Sequence, residues 1–435
     1  MTVLSGLAGG KLKDQTLLRR GPLARALEAL NGGGEETRLV GGAVRDLALG
    51  ERALDFDLAT TASTDEVIRR AQAAGFKVAL TGVPHGTVTL VIDGRPIETT
   101  TLRRDVETDG RHAKVAFGRD FGADAERRDF TINALSLGPD GAVHDPVGGL
   151  DDLAQGRVRF IGDADQRIRE DYLRILRFFR FSARFAANGL DPAGLKAAIR
   201  AREGLERLSR ERVRAELMKL LAAPRAGEVV QTMAECGFLE PILGGLAYPG
   251  RLARLIAIDA DRRREPDPVL RLAALGAVIP EDADRLRDRL RLANAEHERI
   301  RSAAAALAGL HGITAPPSPE DLRALLFKAG REAARDALAL AHAESGAAPS
   351  DDAFAAADRF VAETPIPRLP LSGADLIARG VEAGPGVGEA LRAFERLWIR
   401  AGFPAESEIL ARLLDDALAE AARKEGSTAE SNRGP

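Results

Sequence analysis

The chain has little of what several protein classes depend on. Its 435 residues include one cysteine, Cys236, which excludes a disulfide framework and any cysteine-based zinc site within the chain. Such sparing use suits a reducing compartment. Aromatic residues make up 4%, too few for extended stacking platforms along a single strand of nucleic acid. Lysine is scarce, with 8 residues against 54 arginines. No stretch approaches the ~18 uninterrupted apolar residues of a membrane span, and the N-terminal segment lacks a signal peptide's order of charge, apolar core and cleavage site. The expected location is cytoplasmic, with no membrane contact.

What is present is length and an uneven charge. At about 150 residues per domain the chain predicts roughly three domains, with enough residues to bury several cores. The net charge of −3 at first argues against a nucleic-acid binder. Between residues 157 and 225, however, 15 Arg and 2 Lys face 9 acidic residues, a net of +8, which leaves −11 for the rest. A GC-rich coding sequence would itself favour arginine over lysine, so the bias acquires meaning only where spacing organises it.

Pattern changes near residue 150. Before it, residues 38–40, 55–59, 77–80, 87–92 and 97–101 read as strands, and 65–74 as a helix. After residue 151, Ala, Leu and Arg recur at helical spacing, interrupted at Asn188-Gly189, Pro224, Pro241, Gly244-Gly245 and a proline-rich stretch at 314–319. The fold class is α+β. The expected divisions are a helical N-terminal extension (1–30), an α/β head (31–155), a helical neck (156–225), a helical body and tail (226–425) and a disordered polar end (426–435).

Four motifs carry chemistry. In Val40-Gly41-Gly42-Ala43-Val44-Arg45-Asp46 a short apolar strand runs into two glycines and then a helical pattern, where backbone N–H groups can approach a phosphate. In Asp55-Phe56-Asp57 the two carboxylates share one strand face while Phe56 and Leu58 point to the core. Paired carboxylates so close are stable when solvated or neutralised, and hard oxygen donors suit Mg²⁺. Glu98 follows Ile97 on a strand that, placed beside the first, brings a third carboxylate to that pair. Arg127-Arg128-Asp129-Phe130-Thr131-Ile132-Asn133 reads as a helix start capped by Asp129 or Thr131, with Arg128 free to face a triphosphate. Across residues 169–180, Asp171, Arg174, Arg177 and Arg180 recur at a spacing of three along one side of a single predicted helix, opposite Ile168, Tyr172, Ile175 and Phe179. There Asp171 can accept from the exocyclic amine of cytosine or adenine, and Arg174 can donate to the adjacent ring acceptors.

In this order the motifs resemble those of the class II CCA-adding enzymes and bacterial poly(A) polymerases, nucleotidyltransferases of the DNA polymerase β superfamily. The resemblance runs from Arg38 to about Leu221. It implies a polymerase β-like head with a mixed sheet, followed by all-helical neck, body and tail. It implies metal ligands at Asp55 and Asp57, a third catalytic carboxylate at Glu98, and nucleotide contacts at Gly41, Gly42, Arg45, Arg128, Asp171, Arg174, Arg177 and Arg180. Asp171 and Arg174 match the pair that stands in for a template base. Residues 103–117 match a flexible loop used in switching from C to A addition, with Arg111 at a family arginine and His112 replacing a second. Near the C-terminus, Gly386 and Gly388, read as preceding a helix at 390–398, are similar to a tail element that could present N–H groups to an RNA phosphate.

The implied activity is addition of CCA to the tRNA 3′ end from CTP and ATP, with Mg²⁺ as cofactor and no obligatory protein partner. Alternatives are a poly(A) polymerase, an enzyme restricted to C or A addition, and an inactive RNA-binding protein. Poly(A) polymerases of the family usually carry Gly-(Arg/Lys)-(Arg/Lys)-Phe after the metal strand, whereas this chain reads Thr81-Gly82-Val83-Pro84-His85-Gly86. Of the six histidines (His85, His112, His144, His297, His311, His342) only His144 precedes an aspartate, Asp145, and no fused phosphohydrolase activity is expected.

Overall fold

The computed structural model describes residues 4–83, 86–109 and 112–431. The chain divides into two compact units. One holds everything up to Pro249 with Pro266–Pro268 and Leu286–Leu292; the other holds Gly250–Glu265, Val269–Arg285 and the chain from Ala293 onward.

The first unit opens with a hairpin, β1 (Leu7–Ala8) and β2 (Lys11–Leu12), and two helices, α1 (Thr16–Arg19) and α2 (Pro22–Leu30). The helical extension expected at 1–30 thus also holds a hairpin, and its longer helix packs against the sheet. Leu23, Ala26, Leu27 and Leu30 of α2 lie in the same buried cluster as Leu39, Leu58, Leu90 and Ile97 of the main sheet. An amphipathic helix this short is held by such packing rather than by its own propensity.

The remaining strands are β3 (Thr37–Val40), β4 (Asp57–Thr60), β5 (Lys77–Gly82), β6 (Thr87–Ile92), β7 (Arg95–Thr101), β8 (Arg103–Asp109), β9 (His112–Phe117), β10 (Ser136–Leu137) and β11 (Val143–His144). Among the described residues, seven of these strands form one sheet in the order β11-β10-β3-β4-β7-β6-β5, antiparallel except for the parallel pair β4–β7. Alternation explains its buried face: Val88, Leu90 and Ile92 of β6 point to the core, as the period of two requires. Helix α3 (Gly42–Ala48) follows β3, and α4 (Thr64–Ala73) follows β4, its first turn capped by Ser63 Oγ, which accepts from Glu66 N at 3.3 Å. Strands β8 and β9 pair antiparallel, so the backbone around the expected loop at 103–117 forms a ribbon. Arg111 lies outside the described residues.

The helices that follow are α5 (Phe121–Glu126), α6 (Gly149–Ala154), α7 (Ala164–Glu170), α8 (Leu173–Phe185), α9 (Pro192–Arg200) and α10 (Arg210–Leu221). The scarce aromatics gather around α8. Phe130 stands 4.8 Å from Phe160 and 5.4 Å from Phe181, ring centre to centre, Phe160 stacks on Phe178 at 5.5 Å, and Phe179 meets Phe238 edge-on at 4.9 Å. Residues from before and after position 155 thus build one core, and such ring pairs add to what area burial contributes.

The second unit is helical among its described residues. One of its cores joins Leu376, Phe394, Trp398, Leu414 and Ala417, and another joins Leu322, Leu326, Leu338, Phe354 and Val361. The last helix, Ser407–Ser431, carries its backbone into the stretch expected to be disordered from 426. Gly386 and Gly388 lie inside the first turns of helix Pro385–Arg400 rather than before a helix, because Pro385 at its first position starts the helix earlier than the apolar pattern suggested. Among the described residues no helix is long and apolar enough to cross a membrane.

Candidate active site

The site begins at the turn from β3 into α3. Gly41 has φ 75° and ψ −136°, a backbone region open in practice only to glycine. A Cβ there would stand 3.0 Å from Arg128 Nη1. Arg128 is held at this spot: Nε and Nη2 donate to Asp124 Oδ2 at 3.3 and 3.2 Å, and Nη1 donates to the Asn133 carbonyl at 3.4 Å. Gly41→Ala is therefore expected to cost about 1–3 kcal/mol of stability and to push the guanidinium aside; chemical denaturation of the two proteins measures the loss.

Arg45 lies behind the turn. It is buried, donating from Nε and Nη2 to Asp46 Oδ1 and from Nη1 to Asn133 Oδ1, with its guanidinium carbon 4.3 Å from the centre of the Phe185 ring. Burial pulls its pKa below the usual arginine value, opposed by Asp46. Arg45 thus ties α3 to the 130s turn and to the end of α8. A residue of the same motif, Gly42, would place a Cβ 3.3 Å from Arg45 Nη2.

The parallel pairing of β4 with β7 sets Asp57 directly beside Glu98. Strand β4 starts at Asp57, so Asp55 sits two residues upstream of it rather than within the extended run that the sequence predicted. Phe56 and Leu58 do reach the core. The Asp57 carboxyl keeps solvent contact, yet partial burial and then the Glu98 charge, with a smaller push from Asp55, raise its pKa; Arg128 opposes them. Among the described residues, no three His, Cys, Asp or Glu side chains are already gathered as a ligand cluster. The set is instead an open acidic patch of hard oxygen donors in which one carboxyl resists ionisation. Such a patch fits a hard divalent cation, which would relieve the repulsion.

The motif at 127–134 does not start an α-helix. Thr131–Asn133 form a single 3₁₀ turn, because the Asp129 carboxylate is drawn into a local network. Its Oδ1 accepts from Phe130 N at 2.9 Å and Asn133 Nδ2 at 3.1 Å, and Oδ2 accepts from Arg177 Nε at 2.6 Å. Burial alone would raise the Asp129 pKa, but Arg177 and these hydrogen bonds outweigh it and hold the group below the usual range. The same charge pairing raises Arg177 against its own desolvation.

Residues 169–180 are likewise not one helix. Helix α7 ends at Glu170, Asp171 is extended at φ −155° and ψ 108°, and α8 starts at Leu173. The break has a local cause. Asp171 Oδ1 accepts from Leu173 N at 3.0 Å, so the side chain caps the new helix and competes with continuation of the old one. Arg174 is paired with Glu170, Nη1 to Oε2 at 2.5 Å, and also donates to the Arg167 carbonyl. Arg180 forms an ion pair with Glu216 Oε2 at 2.6 Å and lies over the Phe181 ring at 4.0 Å.

The structure therefore brings Asp57 and Glu98 together, places Arg128 against the Gly41 turn, and aligns Arg174, Arg177 and Arg180 along α8 with an acidic partner each. Asp124, Asp129, Asn133, Arg212 and Glu216 were missed as supporting residues. Asp129 and Asn133 stood inside a quoted motif. Arg212 and Glu216, one turn apart on α10, carried only the weak signal of a shared helix face.

A mixed sheet holding two adjacent strand carboxylates beside a glycine turn defines a nucleotidyltransferase of the polymerase β type. Comparison with known proteins agrees: residues 37–159 match the Poly A polymerase head domain, and residues 190–248 match the probable RNA and SrmB-binding site of polymerase A. A CCA-adding enzyme of Geobacillus kaustophilus is 35% identical over 387 residues, covering 86% of this chain and 91% of the relative. The chain belongs to the class II CCA-adding enzyme family. Human mitochondrial CCA tRNA nucleotidyltransferase 1 is 41% identical over 268 residues, and the match spans 60% of this chain and 60% of that relative. Among solved structures, the Bacillus stearothermophilus CCA-adding enzyme in complex with CTP superimposes with a TM-score of 0.68 at 30% identity, covering 94% of this chain and 97% of that one. The Thermotoga maritima CCA-adding enzyme complexed with tRNA shares the fold, with a TM-score of 0.65 at 22% identity over 92% of this chain and 98% of that one.

Proposed function

We propose that this protein adds CCA to the 3′ end of tRNA from CTP and ATP without a nucleic-acid template. The observation that carries the reading is the parallel register that sets Asp57 beside Glu98. The tRNA 3′-hydroxyl attacks the α-phosphate and gives up its proton to solvent, a new P–O bond forms, the α–β bridge breaks, and pyrophosphate leaves. Asp55 and Asp57 would hold Mg²⁺, whose chemistry there is activation of the hydroxyl and neutralisation of charge at the reacting phosphate. Arg128, fixed beside the Gly41 turn, faces the triphosphate as a charge-assisted donor. Arg177 and Arg180 add positive charge along α8. Asp171 accepts from the exocyclic amine that cytosine and adenine share, and Arg174 donates to the neighbouring ring acceptor; uracil and guanine would set a carbonyl oxygen against the carboxylate. The helical remainder would recognise tRNA by shape and backbone, with Gly386 and Gly388 as candidate phosphate contacts. The reducing chemistry implied by a lone cysteine supports a cytoplasmic setting.

The test is to incubate the purified protein with tRNA lacking its terminal triplet, Mg²⁺ and each nucleotide, then sequence the products. Addition of C, C and A followed by arrest is expected. A long adenylate tract, addition of only C or only A, or no addition at all would each overturn the reading.

A further inference from the structure

Asp171 does not stand free on a helix face. Its two carboxylate oxygens are engaged from different directions: Oδ1 by the Leu173 N–H at 3.0 Å, and Oδ2 by Arg212 Nη2 at 2.7 Å. The first bond is local and is made by the backbone of α8. The second comes from α10, 41 residues further along the chain. Helix α10 packs along α8 and buries Val213, Glu216, Leu217 and Leu220, so the place from which Arg212 reaches out is itself fixed by buried side chains. Because Asp171 has left the helical conformation, neither α7 nor α8 orients its side chain through the regular backbone. With only the capping bond, the carboxylate can turn about its own Cβ–Cγ bond; with both, its plane is set and one lone pair on each oxygen remains to accept from a base.

We propose that Arg212 is a positioning residue for nucleotide selection: by holding Asp171 Oδ2, it aims the remaining acceptor capacity of that carboxylate at an exocyclic amine. The inference rests on the reading of Asp171 as the base-selecting acceptor. Arg212 acts through Asp171 and touches no substrate. It also contributes little to the fold. The pair is partly exposed, with side-chain exposures of 37% for Arg212 and 29% for Asp171, and ion pairs in that setting hardly change stability. Selectivity and folding are therefore separable at this position.

The experiment measures single-nucleotide incorporation into truncated tRNA with CTP and with UTP for the wild type, Arg212→Ala, Arg212→Lys, Asp171→Ala and the Asp171→Ala/Arg212→Ala double variant, alongside thermal melting. In Arg212→Ala the ratio of kcat/KM for CTP over UTP should fall about tenfold, the size of effect expected when one base-edge contact is misaligned. Melting should be unchanged. Arg212→Lys, which keeps one donor in reach of Oδ2, should restore most of the ratio. In the Asp171→Ala background, removing Arg212 should change the ratio no further. An unchanged ratio in Arg212→Ala overturns the proposal, and so does an added loss in the double variant, which would mean that Arg212 meets the base itself. Should Asp171→Ala keep full discrimination against UTP, the base-selecting reading of Asp171 fails first and the role of Arg212 falls with it. Loss of melting stability in both Arg212 variants, with the ratio intact in the folded fraction, would make the pair purely structural.

Discussion

Asp57→Asn is expected to lower nucleotide addition about a thousandfold while leaving the protein folded, since loss of several kcal/mol of cation-mediated stabilisation at the reacting phosphate corresponds to that factor. The substitution keeps the shape, removes the charge and exchanges one acceptor oxygen for a donating NH2. A second readout needs no turnover. In the native chain, Asp57 holds its proton more tightly than an unfolded aspartate does, because surrounding protein and Glu98 oppose its ionisation. Its ionised form therefore weakens folding in full above the native pKa, and that penalty shrinks as pH falls through the native value and is gone below the unfolded one. At neutral pH a bound divalent cation removes the same penalty. Added Mg²⁺ should raise the melting temperature of the wild type and leave that of Asp57→Asn nearly unmoved; equal shifts in both would refute the assignment.

Asp129→Ala is expected to destabilise the first unit by about 3 kcal/mol, the cost of leaving one partner of a largely buried pair alone. The Asp129 carboxylate accepts from Phe130 N, Asn133 Nδ2 and Arg177 Nε, and its removal strands all three donors. Glu216, 3.9 Å from Arg177 Nη1, offers only partial compensation. The pH dependence has the opposite sign to that of Asp57. Asp129 is held below its unfolded pKa, so its contribution is complete above the unfolded value and is lost as pH falls through the native one. Urea titrations between neutral and acid pH should show the two proteins converging as the acid limb is reached. A constant gap would show that packing, not charge, dominates the loss.

The main strands of the sheet, the placing of Asp57 beside Glu98 and the helical second half were legible because periodicity is local. Period-two alternation marked 87–92, and a third carboxylate on a neighbouring strand was the natural consequence of Ile97-Glu98 following it. What escaped were structures decided by partners far away in sequence. Nothing in the apolar spacing of 169–180 announces the break at Asp171, since it needs no glycine or proline, only a carboxylate that caps Leu173 and is met by Arg212. The 127–134 motif offered a good helix cap, but Arg177 draws Asp129 into a tight turn instead. Arg45, a nucleotide contact by resemblance, is enclosed by Asn133, Phe181 and Phe185, residues about 90 to 140 positions downstream that no local pattern connects to it. The ribbon of β8 and β9 lacked the alternation that would have marked it.

The shared ring cluster of Phe130, Phe160, Phe178 and Phe181 bears on how such a chain can be inherited. The sequence pattern changes near residue 150, which looks like a natural seam for recombination. A crossover there would separate Phe130 from Phe160 and divide one interior between two parents whose rings were never fitted to each other. Heads exchanged between relatives should survive only when the transferred piece continues through Phe185. The catalytic strands and the arginine helix then travel as one heritable block, with the permissible junctions lying further along the chain.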